Sequence, residues 1–330
     1  MPFRTKPGRR LLKALLPVAL LLLSGIGAGL FFIVRTVTHP IPHPYLVTPA
    51  TFPAWSARGL KVTEETWSNS DGTQARGWLL RGAEGAPAIV LLHRYSADRS
   101  GLLNLGVKIN EATNYTILWP DLRGHGENPS VTHTSFGASE AADLTAATLF
   151  LRNLKTSNQA PLIAVRFGFY GVELGAYAAL AAATHETGGA TAVVRALALD
   201  SVPSSPDELL LNAARDRLGF DNNLLNLFTR GATRIYFLGN YESASSCGLA
   251  AQLANRRVLL LSGADAGDMR ASTAALAQCF PATSTVSLQA DLPVTGFTAS
   301  SATGEQGDNY DRLIIEFFSH AFREDSQIGQ

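Results

Sequence analysis

The sequence withholds several features from which function is usually read. It has two cysteines, Cys247 and Cys279, and no Cys/His spacing that resembles a zinc site, so neither a metal nor a cofactor is expected. Lys plus Arg and Asp plus Glu both number 27, for a formal net charge of zero, and the basic footprint of a nucleic-acid binder is missing. No internal repeat and no long low-complexity tract is present. No histidine lies between His185 and His320. Most of the C-terminal half therefore lacks the side chain most often used as a general base.

What is present begins with a greasy N-terminus. Arg4, Lys6, Arg9, Arg10 and Lys13 precede an uncharged run from Ala14 to Val34, closed by Arg35. About 20 apolar residues span a bilayer as a helix, and a signal-peptide core is shorter, at roughly 7–15. No convincing A-x-A cleavage site follows. The expectation is a basic tail over 1–13 and a retained transmembrane signal-anchor over 14–35, with the lipid bilayer as partner. A cleaved signal peptide and a buried globular helix are the alternatives. Pro17 and the glycines after Ser24 are tolerated in a membrane helix. The excess of cations before the run puts the N-terminus in the cytoplasm and the main domain outside. There oxidation of the two cysteines is permitted, although the sequence leaves their separation, and so a disulfide, open. Residues 36–55 carry Pro40, Pro42, Pro44, Pro49 and Pro53 and read as a stiff linker, with His39 and His43 as solvated residues in it.

From residue 56 to 325, apolar strand-like runs alternate with helical patterns. Leu60–Trp67 and Ala75–Leu80 read as a hairpin around Asn69-Ser70-Asp71-Gly72. Ala86–His93, Thr116–Pro120, Leu162–Tyr170, Ala196–Leu199, Val258–Leu261 and Ser284–Gln289 continue the strands. Helical patterns cover Leu102–Ala112, Ala138–Leu154, Glu173–Ala183, Pro206–Leu218 and Tyr310–Phe322. The alternation predicts an α/β fold: a mostly parallel sheet of about eight strands with helices on both faces. Residues 204–255 are long for one crossover and read as a short helical lid.

The segment Gly171-Val172-Glu173-Leu174-Gly175 has the spacing of a nucleophile elbow, G-x-S-x-G, with glutamate in place of serine. An elbow is a sharp strand-to-helix turn that lifts one side chain above the sheet. Here it follows an apolar strand and opens an alanine-rich helix. Upstream stand Leu91-Leu92-His93-Arg94-Tyr95, Asp121-Leu122-Arg123-Gly124-His125-Gly126 and Phe136-Gly137-Ala138-Ser139-Glu140 through Asp143. This ordered set resembles the α/β-hydrolase superfamily, specifically the bacterial serine-hydrolase group with a short lid, over about residues 55–325. An unrelated doubly wound α/β domain is the alternative.

The resemblance implies a nucleophile, a histidine, an orienting acid and oxyanion N–H donors. The nucleophile position holds Glu173. The acid position falls on Asp265 or Asp268, and the histidine position on Phe297. The oxyanion N–H groups fall on Tyr95 and Leu174, but the loop's usual glycine is Arg94. Arg94 and Glu173 are expected on neighbouring strand ends, where an ion pair between them would plug the former site; Arg94 in solvent over a wet cleft is the alternative. His93, Asp121, Arg123 and His125 are expected to brace loops. Arg166 and Asp200 are expected to be surface or packing residues. The lid aromatics Phe220, Phe228, Tyr236 and Phe237 are expected in the core.

Three functions follow. The first is a membrane-anchored α/β-hydrolase-fold protein without serine-hydrolase activity, binding an unidentified small molecule or protein or serving a structural role. The second is a hydrolase of altered mechanism, with Glu173 as base or nucleophile. The third is an ordinary ester or peptide hydrolase using another residue, such as Ser201, Ser204 or Ser205.

Overall fold

Strand β3, Ala86–Leu92, is apolar along its length and buried on both sides, and the molecule is organised about it. The computed structural model describes residues 7–51, 61–185, 193–219, 221–241, 244–298 and 305–328. Ala88, Val90 and Leu92 enter the core on one side of the sheet. Ile89 and Leu91 enter the core on the other. That is the strand alternation read off a segment with no polar face.

Eight strands form one sheet in the order β1-β2-β4-β3-β5-β6-β7-β8. They are β1 Val62–Ser68, β2 Gln74–Leu80, β3, β4 Thr116–Pro120, β5 Ile163–Val172, β6 Val194–Asp200, β7 Arg257–Gly263 and β8 Thr285–Leu292. The first two form the expected hairpin, and β2 pairs antiparallel with β4. The pairings from β4 through β8 are parallel. Leu60, expected at the start of β1, lies outside the described residues.

Helices α2, Leu103–Thr113, and α9, Glu305–Ile328, cover one face. Helices α3, Ala138–Arg152, and α4, Leu174–His185, cover the other. Between β6 and β7 come α5, Pro206–Leu218, α6, Asn223–Tyr236, and α7, Ser246–Ala250. Helix α8, Met269–Leu276, follows β7. A disulfide joins Cys247 in α7 to Cys279 after α8, which answers the question the sequence left open.

The ends of the insertion's helices follow from their sequence. Pro206 opens α5, where a missing N–H is harmless, and Gly219 ends it in the left-handed region at φ 70°. The Asn222 side chain accepts from Leu224 N and Leu225 N at 3.0 and 3.2 Å and so caps α6. Asn222→Ala is expected to cost about 1 kcal/mol, measured as faster amide exchange across α6. The insertion's aromatics are not all core: Phe237 is buried and Tyr236 half-buried, but Phe228 is 49% exposed. Phe220 lies outside the described residues.

The N-terminal helix α1 runs Pro7–Thr38. Its stretch Leu15–Thr38, 24 residues, is long and apolar enough to cross a membrane. It outruns the expected boundary at residue 35. The reason is tertiary: Val34, Val37 and Thr38 are buried against the domain, where α1 packs on α5 and α6. The last carbonyls of a helix have no partners within it, and here the domain supplies donors. Tyr95 Oη donates to Val37 O at 2.6 Å, Thr134 N to Thr38 O at 2.9 Å and Arg217 Nη1 to His39 O at 2.9 Å. The linker therefore starts at His39. Its Tyr45 docks on the domain, donating to Asp121 Oδ2 at 2.6 Å; residues 52–60 lie outside the described segments.

Candidate functional site

Strand β5 runs into α4 through a single left-handed residue, Glu173, at φ 52°. That conformation is uncommon for a residue with a side chain and marks strain held by its surroundings. The flanking glycines make it fit. A Cβ on Gly171 would lie 2.4 Å from the backbone of Gly175, and one on Gly175 would lie 2.5 Å from Leu92 O. The turn is thus wedged between its own helix and the end of β3. Glu173 N donates to Asp200 O at 2.9 Å, tying the turn to β6.

The Glu173 side chain is 7% exposed. Its Oε2 accepts the backbone N–H of Tyr95 at 2.8 Å. Burial pushes its pKa up to about 7. The Tyr95 N–H, the nearby Arg94 charge and the Leu174 N–H pull the other way without prevailing. Tyr95 and Leu174 are the residues whose N–H groups the resemblance assigned to an oxyanion. Glu173's own carboxylate stands in for that anion.

The expected Arg94–Glu173 ion pair is not formed. The Arg94 guanidinium lies over the Phe297 ring, 5.3 Å from its centroid, and Nη1 donates to Tyr95 O at 3.4 Å. Nor is Arg94 free in solvent; it is half-buried. The cation takes the ring face because Phe297 stands beside it, and a cation over an aromatic face is attracted by the ring quadrupole. Glu173 already accepts the Tyr95 backbone N–H.

Of the two acid candidates, Asp265 faces the Phe297 turn. Its Oδ2 accepts from Thr295 Oγ1 and Thr298 Oγ1, each at 2.8 Å, and from Thr295 N at 3.3 Å. Asp268 turns away to Arg215 on α5 at 3.4 Å. None of the seven histidines hydrogen-bonds Glu173 among the described residues. His185, at the end of α4, and His320, on α9, are exposed.

His93 and His125 are buried behind Tyr95, with ring centroids 5.1 Å apart. Leu122 N donates to His93 Nε2 at 3.0 Å, so Nδ1 carries the proton and donates to Arg94 O at 2.8 Å. His125 Nδ1 donates to Arg123 O at 2.6 Å. Burial holds both rings neutral, lowering His93 to about 4 and His125 to about 3. Arg123 grips Asp143 through Nε and Nη2 at 2.5 and 2.6 Å. These groups fix the loop after β4 and, through it, Tyr95.

Asp200 is the residue the sequence undervalued. It ends β6 fully buried, not at the surface, and burial raises its pKa to about 6. Ser201 Oγ donates to Oδ1 at 2.6 Å, and Gly296 N to Oδ2 at 2.6 Å. Tyr310 Oη also donates to Oδ2 and bonds Tyr170 Oη at 2.7 Å. Asp200 and Asp265 thereby both anchor the 295–297 turn. A carboxylate closing an apolar strand was the available signal; its tyrosine partners lie on other elements. Ser201 is fully buried, and Ser204 and Ser205 flank the start of α5 without a histidine partner among the described residues. Arg166 Nη1 donates to Phe322 O at 3.3 Å, a packing role.

Beside the elbow, on the linker side of Arg94, opens a cleft of about 690 Å³. Arg94, Asp98, Val172 and Gly296 line it, together with Tyr45 and Leu46 of the linker.

No family model matches the chain, and no curated protein matches it. Solved structures do. The Pyrococcus furiosus esterase Pf2001 is 16% identical, with TM-score 0.62, over 86% of this chain and 97% of its own. A hyperthermophilic esterase from Pyrobaculum calidifontis is 12% identical, with TM-score 0.55, over 90% of this chain and 92% of its own. An acylaminoacyl peptidase from Pyrococcus horikoshii is 16% identical, with TM-score 0.55, over 79% of this chain and 42% of its own. At such identities the likeness speaks for the backbone alone, and with the strand order and the intact elbow it gives the conclusion that this chain has the α/β-hydrolase fold.

Proposed function

We propose that this is a membrane-anchored α/β-hydrolase-fold protein that has left serine hydrolysis and serves a binding or structural role. The observation that carries the reading is the hydrogen bond from Tyr95 N–H to Glu173 Oε2 at 2.8 Å. An oxyanion site works by presenting donors to charge that develops during reaction. A donor already held by a buried carboxylate has none to present. The phenylalanine at the histidine position, with Arg94 stacked on it, supports the same reading. The cleft of about 690 Å³ is of a size that takes small organic ligands and supports binding. Helix α1 is read as a retained anchor with its basic end in the cytoplasm. The Cys247–Cys279 disulfide supports an oxidising compartment for the domain.

One observation favours a second reading. A carboxyl group poised at about 7 is suited to general-base chemistry near neutrality. Both readings are tested by offering the full chain a panel of short p-nitrophenyl esters and a fluorophosphonate probe. The expected result is no turnover above buffer and no labelled band. Labelling refutes the proposal. Turnover that vanishes in Glu173→Gln while labelling stays negative replaces it with the second reading.

A further inference from the structure

We propose that α6 lies in the membrane–water interface beside the exit of α1, with its outward face immersed in the lipid leaflet. This rests on the reading of α1 as a membrane-spanning anchor. Helix α6 is built inside out for a helix facing water. Leu224, Leu227, Phe228 and Ile235 are 62, 63, 49 and 73% exposed, and Leu238, just past its end, is 87% exposed. With Gly231 they fall at i, i+3, i+4, i+7, i+11 and i+14, a single helical stripe. The opposite face buries Thr229 and Thr233 completely. The Thr233 hydroxyl is turned back onto Thr229 O at 2.8 Å. Scattered exposed leucines need no explanation; a contiguous stripe on a helix that hides its threonines does.

What covers the stripe is indicated by its neighbour. Helix α6 packs on α1, and the rings of Phe31 and Tyr236 lie 6.2 Å apart. Apart from Leu30, which is half-buried, the large apolar side chains of α1 are exposed from Leu15 to Phe32, and full burial in the domain begins at Val34. At 1.5 Å per residue, Phe31 lies about 5 Å before Val34. Amphipathic helices rest roughly 5–10 Å into the headgroup boundary. The level at which α6 meets α1 is thus the level at which such a helix lies. Arg230 and Arg234 flank the stripe on one side and are held by Asp207 of α5 at 3.7 and 2.9 Å. The outward stripe itself carries no charge. A bilayer reached by α1 meets this stripe without any further partner.

The test places nitroxides on the full chain through Leu227→Cys and Ile235→Cys, with Val165→Cys as the control. Val165 is 50% exposed and lies on β5, away from α1 and α6. Each protein is reconstituted into phosphatidylethanolamine–phosphatidylglycerol vesicles, checked by flotation, and probed with oxygen and a water-soluble nickel chelate. At 227 and 235 oxygen is expected to collide several-fold more effectively than the chelate, with the order reversed at 165. Chelate access at 227 and 235 equal to that at 165, in protein that floats, overturns this proposal and leaves the anchor intact. Protein that fails to float overturns the anchor reading and this proposal with it. Shielding from both reagents, or spin–spin broadening, identifies a protein partner or a second copy on the stripe and likewise overturns it.

Discussion

Glu173→Gln is expected to gain about 3 kcal/mol of stability relative to the parent as pH is raised from 4 to 8. The parent carboxyl has a pKa near 7 in the folded protein and near the ordinary glutamate value of about 4.3 once unfolded. Between those values the folded chain holds a proton that the unfolded chain has released. Unfolding therefore becomes easier with each unit of pH across that window. Below it both states are protonated and no difference remains. Above it both are ionised, and the folded protein carries a desolvated charge. The amide titrates in neither state, and its oxygen can still accept the Tyr95 N–H. His93 and His125 oppose the trend in the parent: with lowered pKa values they weaken the fold as pH falls from about 6.5 toward 4 and 3. Both proteins share that contribution, so the difference between them isolates Glu173. Urea denaturation of the two at several pH values measures it. A difference that stays flat from pH 4 to 8 would mean that the carboxylate is solvated and does not occupy the Tyr95 N–H.

That coupling explains why the site was only half legible in the sequence. The elbow could be read because its constraint is local: two glycines at fixed spacing, an apolar strand before and an alanine-rich helix after. The sheet could be read because β3 to β7 are short apolar runs, each followed by a helical pattern, and because β1 and β2 flank a turn signal. What closes the site could not be read. A backbone N–H has no sequence signature, so the Tyr95–Glu173 bond was hidden, while the two charges nearby, Arg94 and Glu173, advertised a pair that does not form. Phe297 was expected at the histidine position, but the sequence did not show it as the ring that takes Arg94. The Asp200 network joins β6, β5, α9 and the 296 turn, and no window along the chain contains it. The end of α1 failed for a similar reason. Composition locates Arg35 as the end of the greasy run, but the helix stops where Tyr95, Thr134 and Arg217 supply donors to its last carbonyls.

Tyr95 is where these pieces meet. Its N–H holds the elbow carboxylate, and its hydroxyl holds the end of the membrane-length helix. Its ring stacks on Phe136 at 5.6 Å between centroids. A loop that in a serine hydrolase would present a donor to substrate is here clamped from three sides. Tyr95 does not line the neighbouring cleft, whose lining includes Arg94 and, from the linker, Tyr45 and Leu46.

The largest loss of stability is expected from Arg99→Ala, at about 3–5 kcal/mol. Arg99 is 1% exposed. Its guanidinium lies 4.5 Å from the Trp78 ring centroid and 4.9 Å from that of Tyr45. Nη2 reaches Glu64 Oε1 at 2.6 Å, and Nε stands 3.3 Å from Asp121 Oδ2. Glu64 is half in solvent and can be rehydrated. Asp121 cannot: its side chain is 5% exposed, and burial has already raised its pKa to about 6 against the pull of Arg99. Without the cation, the pKa rises further, and ionisation at neutral pH becomes a buried charge with only Tyr45 Oη and the residue 99 N–H as donors. The sign follows from linkage: a carboxyl raised in the folded state weakens the fold as pH rises through that value. The deficit of Arg99→Ala is therefore expected to be greatest at pH 8 and to shrink toward pH 4. Adding Asp121→Asn removes the stranded charge, and the double variant should recover a large part of the loss at pH 8 and little at pH 4. Chemical denaturation of the two single variants, the double variant and the parent measures the coupling directly. Equal deficits at both pH values, or no recovery in the double variant, would mean that Arg99 acts by packing on Tyr45 and Trp78 alone, and that the linker is held by rings and not by charge.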